Sequence, residues 1–306
     1  MNNAIEVTNL SKRYGNLEAV RGVSFEVAAG EVFCLLGPNG AGKTTITEIL
    51  EGYRTRTEGS VSVLGMDPAD GERELRERVG IVLQSCGVQP DLTVAELLEM
   101  YGRYHRTRRP VDELIELVEL DAKRDTRANE LSGGQRRRLD VALALVGDPD
   151  LVFLDEPTTG FDPAARRHAW STIRSLCELG KTVFLTTHFM DEAQFLANRV
   201  AVMRDGRIVA TGRPEELGGR ELRPTEIRFV LPPGCSLEDL PDVPADAVLR
   251  DGEHVLIKSH EGVLATQRIT AWALERSVAL ERFTVAQPSL EDVYLELTSE
   301  RTETLA

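Results

Sequence analysis

The run Gly37-Pro38-Asn39-Gly40-Ala41-Gly42-Lys43-Thr44-Thr45 has the residue types and spacing that grip phosphate. It fits the pattern G-x-x-x-x-G-K-[ST]. Glycines at 37, 40 and 42 let backbone N–H groups turn inward at phosphate oxygens without Cβ clashes. The helix predicted to start here adds the positive end of its dipole. Lys43 supplies a point charge for β- and γ-phosphates, and the Thr44 hydroxyl suits Mg²⁺. Glu31-Val32-Phe33-Cys34-Leu35-Leu36 before the run reads as a buried strand. Ile46, Ile49 and Leu50 after it share one helical face.

Two further strands carry polar groups at their ends. Leu151-Val152-Phe153-Leu154-Asp155-Glu156 is an apolar run closed by two carboxylates. Parallel α/β sheets present ligands at the carboxyl ends of such strands. Asp155 is expected to hold Mg²⁺ through water, and Glu156 to act as general base or to orient water. Residues 181–188 repeat the design and end in His188, whose imidazole can reach a γ-phosphate. Residues 79–84 form a strand ending in Gln84, which either touches Mg²⁺ or the attacking water or is an ordinary strand-end amide.

A second anion site is predicted at Leu131-Ser132-Gly133-Gly134-Gln135, directly before an apolar helix. The Ser132 hydroxyl and the N–H groups of Gly133 and Gly134 face a helix N-terminus. One nucleotide rarely needs two such helix starts, so the second invites a neighbouring copy's nucleotide. Tyr14, upstream of the phosphate run, either stacks on an adenine ring or covers core at a turn.

Several elements must position these groups. Residues 5–10 and 20–27 alternate as strands. Residues 59–65 read as another strand and 73–78 as a charged helix. Residues 91–146 read as helical, opened by a Thr93/Glu96 capping box. The basic run 103–109 reads as a solvated helix end or a binding patch. Asp205-Gly206 marks a hairpin turn. From about 213 the style changes. Residues 226–231 and 277–285 read as strands, 247–259 as a strand or a hairpin around Asp251-Gly252, and 264–274 and 289–297 as helices. This is a small α+β unit with no glycine-rich loop. The tail 301–306 is expected to fray.

Composition narrows the class. The chain has 306 residues, enough for a large and a small domain. A net charge of -14 argues against a broad nucleic-acid surface. No apolar run is long enough to span a bilayer, and the first residues lack the layout of a signal peptide. Cys34, Cys86, Cys177 and Cys235 lie far apart, which fits a reduced cytoplasmic compartment. Work at a membrane then requires a partner.

Tyr14, residues 37–45, Gln84, 131–135, 151–156, Asp162 and His188 occur in the order found in ATP-binding cassette (ABC) ATPases. The chain resembles that family over about residues 4–215, with Leu-Ser-Gly-Gly-Gln as the distinguishing element. The resemblance implies an α/β P-loop ATPase domain over 1–215. That domain would have a mixed core sheet with helices, an antiparallel β part and a helical subdomain at about 86–146. A linker at 216–225 and a small C-terminal α+β accessory domain at 226–306 would follow.

The resemblance also implies roles. Tyr14 would stack on adenine. Residues 37–45 (Gly37, Pro38, Asn39, Gly40, Ala41, Gly42, Lys43, Thr44 and Thr45) would bind the phosphates of ATP. Thr44, Gln84 and Asp155 would serve Mg²⁺, with Gln84 also meeting a membrane subunit. Ser132, Gly133, Gly134 and Gln135 would close over the other protomer's ATP. Glu156 would be the base, His188 the switch residue, and Asp162 would communicate across a homodimer. Thr159-Gly160-Phe161 departs from the Ser-Ala-Leu stretch that many members carry there.

Pro288-Ser289-Leu290-Glu291-Asp292-Val293-Tyr294-Leu295 and Asp155-Glu156-Pro157-Thr158-Thr159-Gly160-Phe161-Asp162-Pro163 resemble daunorubicin-resistance-type exporter ATPases. Such ATPases pair with a separate integral membrane permease and export drugs, lipids or polyketides. They work at the cytoplasmic face of the membrane. A rival is a soluble ABC ATPase acting on nucleic acid or ribosomes. Such relatives usually insert coiled coils or zinc sites, or carry two cassettes; residues 46–130 show neither sustained heptads nor Cys pairs. A further rival, a subunit that only binds ATP, sits poorly with an intact Glu156 and His188.

Overall fold

A computed structural model describes residues 3–82 and 87–299. The chain divides into two units, Met1–Pro214 and Glu215–Ala306. In the first, β1 (Asn3–Tyr14), β2 (Leu17–Ala28) and, after β3 (Val32–Leu36) and α1 (Lys43–Leu50), β4 (Glu58–Val63) contribute to two sheets. Strands β2-β1-β4 form an antiparallel sheet. Next come α2 (Arg73–Arg78) and β5 (Val79–Val82), then α3 (Val94–Gly102), α4 (Val111–Leu117) and α5 (Gly133–Leu145). The unit closes with β6 (Leu151–Asp155), α6 (Pro163–Glu178), β7 (Thr182–Thr187), α7 (Met190–Leu196), β8 (Arg199–Arg204) and β9 (Arg207–Gly212).

The second sheet has the order β5-β6-β7-β3-β8-β9. Its first five strands run parallel, and β9 returns antiparallel through the Asp205-Gly206 turn. Strands β3 and β7 are buried at every position, as sheets covered on both faces require. Helix α1 packs in one cluster with both sheets. Its Ile46, Ile49 and Leu50 join Val7 and Phe25 of the antiparallel sheet and Phe33, Phe153 and Phe184 of the parallel one. Phe184 lies 5.8 Å from Phe33, 6.0 Å from Phe25 and 5.5 Å from Phe153, centroid to centroid. These separations suit offset and tilted ring packing.

Residues 91–146 are helical in three pieces, joined by 3₁₀ turns at Asp121–Lys123 and Ala128–Glu130. Pro110, whose ring disfavours a preceding helix, keeps α3 and α4 separate. The expected capping box opens α3: Glu96 N–H donates to Thr93 Oγ1 at 3.2 Å, and Thr93 N–H to Glu96 at 2.8 Å.

The second unit holds β10 (Thr225–Val230), β11 (Ala247–Asp251), β12 (His254–Ser259), α8 (Gly262–Glu275), β13 (Glu281–Ala286) and α9 (Leu290–Ser299). Its sheet order is β11-β12-β10-β13, all antiparallel. The core joins Ile227, Phe229, Val255 and Ile257 to Ala265 and Ile269 of α8. Two expectations need correction. The stretch 216–225 is no bare linker: it carries 3₁₀ turns at Leu217–Leu222, and β10 starts at Thr225. The strand expected from 277 starts at Glu281, because Ser277 takes a left-handed φ of 54° that ends α8.

Removing the ring that joins the two sheets leaves a large cavity. Phe184→Ala is expected to cost about 3–5 kcal/mol. Urea unfolding, followed by Trp170 emission in a Trp272→Phe background, reads the first unit alone.

Candidate functional site

Strand register brings the chemistry together. Leu36 of β3 pairs with Thr187 of β7, and Asp155 of β6 pairs with Thr186. The next residues are Gly37, His188 and Glu156, so all three leave the sheet on one row. Gly37 N–H donates to the Thr187 carbonyl at 3.2 Å, and Glu156 N–H to the Thr186 carbonyl at 3.0 Å.

From Gly37 the chain wraps a loop that ends at Gly42, the N-cap of α1. Gly42 has φ 102°, and a Cβ there would lie 2.6 Å from the Ala19 carbonyl oxygen. No L side chain satisfies both constraints. Behind the loop, Gly206 N–H donates to the Ala41 carbonyl at 3.2 Å, and Arg21 N–H to the Gly206 carbonyl at 2.8 Å. At φ 77° a Cβ on Gly206 would meet Ala19 O at 2.8 Å. Sequence reading took Asp205-Gly206 as a hairpin turn only; the structure makes it the buttress of the phosphate loop.

Lys43 is 4% exposed. Its Nζ donates to the carbonyls of Gly37 at 2.8 Å and Pro38 at 3.1 Å, and lies 3.5 Å from Glu156 Oε1. Burial lowers its pKa, while the Glu156 carboxylate opposes that shift. Thr44 is exposed and Thr45 half-buried on the first turn of α1.

Glu156 has a left-handed φ of 45°, a strained conformation for a residue with a side chain. Its Oε1 lies 3.3 Å from His188 Nδ1, off the line of a hydrogen bond. Its Oε2 accepts from Thr159 Oγ1 at 3.0 Å. Burial works against ionisation, but the Thr159 donor and the charges of Lys43 and His188 outweigh it and hold this carboxyl below its ordinary range. At neutral pH Glu156 is therefore an anion able to accept a proton. Asp155 accepts from the Thr186 hydroxyl and is half-buried. Thr44 and Asp155 offer one hydroxyl and one carboxylate oxygen, hard donors of the kind that suit Mg²⁺ together with phosphate oxygens.

Other expected residues lie apart or serve differently. Tyr14 ends β1 and is 38% exposed. Lys12 Nζ and the Arg54 guanidinium stand 5.2 and 5.3 Å from its ring centre. Gln84 lies outside the described residues. Ser132 caps α5, with Gln135 N–H donating to Ser132 Oγ at 3.3 Å and Ser132 N–H to Gln135 Oε1 at 3.0 Å. Gly133 and Gly134 form the first turn of α5. Among the described residues no hydrogen bond or ion pair joins 132–135 to the loop 37–45. Asp162 caps α6, accepting from Ala164 and Ala165 N–H groups at 2.9 Å each. Sequence reading missed Arg137, which donates to the Pro157 carbonyl at 3.0 Å and ties α5 to the chain just after Glu156.

A loop that cradles phosphate, a base beside its lysine and a strand-end acid define a nucleotide-hydrolysing α/β domain. Comparison with known proteins refines that class. Residues 20–159 match the ABC transporter family model, and 225–289 match the C-terminal domain of ABC transporter domain-containing proteins. Nod factor export ATP-binding protein I of Paraburkholderia xenovorans is 41% identical over 300 residues, covering 96% of this chain and 97% of that protein. The structure of cbiO1 from Clostridium perfringens, described as part of the ABC transporter complex cbiONQ, aligns with TM-score 0.62 at 28% identity, over 71% of this chain and 90% of that one. A dimeric ATP-binding cassette in a post-hydrolysis state, bound to ADP and Pi, aligns with TM-score 0.61 at 27% identity, over 68% and 98%. The chain belongs to the ABC transporter ATP-binding proteins, and it is an ATPase.

Glu51, just past α1, is a titratable group near this site. Its Oε1 is buried with no hydrogen-bond partner among the described residues. It lines a cavity of about 630 Å³ with Leu75, Ile81, Tyr101 and Leu143. Burial, then the charges of Asp155 and Glu48, raise its pKa from 4.5 to about 8. Between pH 4.5 and 8 the folded chain keeps a proton that the unfolded chain releases. Stability from this group is thus full below that window and falls as pH rises through it, by up to about 1.4 kcal/mol per pH unit. Glu51→Gln is expected to remove that slope and to stabilise the protein most above pH 8, in denaturant melts from pH 4 to 9.

Proposed function

We propose that this chain is the ATP-hydrolysing subunit of a two-component exporter, acting at the cytoplasmic face through a separate integral membrane permease. The observation that carries the reading is Glu156, at the end of β6, lying 3.5 Å from Lys43 at the start of α1 and 3.3 Å from His188 at the end of the adjacent parallel strand β7. Residues 37–45 hold the triphosphate, with the Lys43 ammonium released from its own loop carbonyls onto β- and γ-oxygens. Glu156 accepts the proton of the attacking water, held in place by Thr159. His188 donates to the developing charge on the γ-phosphoryl group. Thr44 and Asp155 hold Mg²⁺, which supplies charge neutralisation to the phosphates; Gln84 keeps a share of that role by its motif alone. Tyr14, with Lys12 and Arg54 at 5.2 and 5.3 Å from its ring centre, is the ring assigned to adenine.

Ser132, Gly133, Gly134 and Gln135 serve the nucleotide of a second copy in a head-to-tail homodimer. The dimeric form of the similar cassette supports that arrangement. Asp162, as the cap of α6, holds the loop that faces the second copy.

Export is supported by the name of the relative from Paraburkholderia xenovorans. No described helix is long and apolar enough to cross a membrane. The cargo is a drug-, lipid- or polyketide-like molecule, with the Nod factor class of the relatives among the candidates. Glu156→Gln should drop turnover by about 10³-fold or more while ATP binding persists; near-wild-type turnover would contradict the role of Glu156. A tagged pull-down from solubilised native membranes is expected to bring down a polytopic protein in stoichiometric amount. Ribosomal or DNA-associated proteins in its place would contradict the exporter reading.

A further inference from the structure

Glu192 is a fully buried acid that none of the roles above uses. It lies on the first turn of α7, four residues after His188, and is 0% exposed. Two donors from different elements converge on one of its oxygens. Thr158 Oγ1 donates to Oε1 at 2.7 Å, and Trp170 Nε1 donates to the same atom at 2.9 Å. Oε2 has no hydrogen-bond partner among the described residues. Burial raises the pKa of this carboxyl, and the nearby Thr187 hydroxyl, the Thr158 and Trp170 donors and the Arg166 charge only partly offset that. A side chain needed only to fill space here would be apolar, because a buried carboxyl is costly unless its hydrogen bonds specify a geometry.

The three elements tied at Oε1 all bear on hydrolysis. Thr158 is 0% exposed and belongs to the turn that follows Glu156. In that turn Thr159 N–H donates to the Glu156 carbonyl at 3.3 Å, and Phe161 N–H to the Thr158 carbonyl at 3.1 Å. Thr159 also donates its hydroxyl to Glu156 Oε2. Glu156 sits in a left-handed conformation that survives only if its surroundings hold it. Trp170 belongs to α6, the helix Asp162 caps, and stacks on Phe195 of α7 at 5.1 Å. Helix α7 starts two residues after His188, whose ring packs on Phe189 at 4.0 Å.

We propose that Glu192 is a positioning residue for ATP hydrolysis: its Oε1 fixes the turn after Glu156 and the helix after His188 in one relative geometry. This rests on the proposed roles of Glu156 and His188. The carboxyl touches no reacting atom. It acts by keeping the base and the histidine at 3.3 Å from one another. Motion of α6 at Asp162, on the side assigned to the second copy, reaches both groups through the Trp170 bond.

The test is steady-state ATPase of the purified full chain in a Trp272→Phe background, where Trp170 is the remaining tryptophan of two. Glu192→Gln keeps the Oε1 acceptor and is expected to hold kcat within about twofold. Glu192→Ala is expected to lose about tenfold or more in kcat with KM for ATP within about twofold, and to shift Trp170 emission. Thr158→Val, a near-isosteric change, removes one donor and is expected to lower kcat in the same way while leaving Trp170 emission in place. It also carries the test where Glu192→Ala does not fold. Wild-type kcat in Glu192→Ala or Thr158→Val, a loss in Glu192→Gln equal to that in Glu192→Ala, or a rise in KM matching the fall in kcat would each overturn the proposal. Glu156→Gln, run alongside, separates the two levels. If it stays active, the site reading fails. If it is dead while the Glu192 and Thr158 variants turn over normally, only the positioning role fails.

Discussion

The Lys43 ammonium is almost fully out of water and touches three oxygens: two carbonyls of its own loop and a carboxylate from another strand. A buried cation is tolerable only with such partners. Much of the unusual backbone in the first unit follows from placing them. Gly42 at φ 102° lets the loop close against the Ala19 carbonyl, and Gly206 pins it from behind. Glu156 at φ 45° turns its carboxylate back toward the lysine. The strain is held by the flanking sheet, whose buried strands β3, β7 and β6 cannot slip without exposing Phe33, Phe184 or Phe153.

The same arrangement explains why the site can change state. The oxygens around Lys43 are ones that phosphate oxygens can replace, with the charge kept paired throughout. Glu156 is kept ionised by a hydroxyl and two neighbouring basic groups. Its environment therefore changes most when those groups engage a ligand. Arg137 and Glu192 tie the turn after Glu156 to α5, α6 and α7 by hydrogen bonds.

Much of this was legible in the sequence because it depends on local rules. The phosphate loop has one motif and one required context, and both are visible from residue 31 to 50. The acids at 155 and 156 and the histidine at 188 stand at the ends of apolar runs, so sheet logic alone places them together. Other features depend on contacts between distant residues. Gly206 read as a hairpin turn because nothing local shows that Ala19 and Ala41 lie against it. Asp162 read as a dimer residue, although Asp-Pro before a helix is also a capping signal. In the helical region the break at 103–109 was legible between two apolar runs, whereas the 3₁₀ turns at Asp121–Lys123 and Ala128–Glu130 interrupt a mostly amphipathic stretch and were not. Strand β13 was expected four residues too early because a positive φ at Ser277 has no sequence signature. Glu192 belongs to no motif that sequence reading singled out.

The central claim is that one nucleotide is hydrolysed by Lys43 and Glu156 of one copy with Ser132 of another. Mixing two inactive variants tests it most directly. Lys43→Ala disables the phosphate loop, and Ser132→Arg blocks the signature. In a head-to-tail pair of one of each, one site keeps both native halves. ATPase activity on mixing is expected to return to roughly a quarter of the wild-type rate, because half the dimers are mixed and each has one native site. A mixture as inactive as either variant alone, with mixed dimers shown to form, would contradict the shared site.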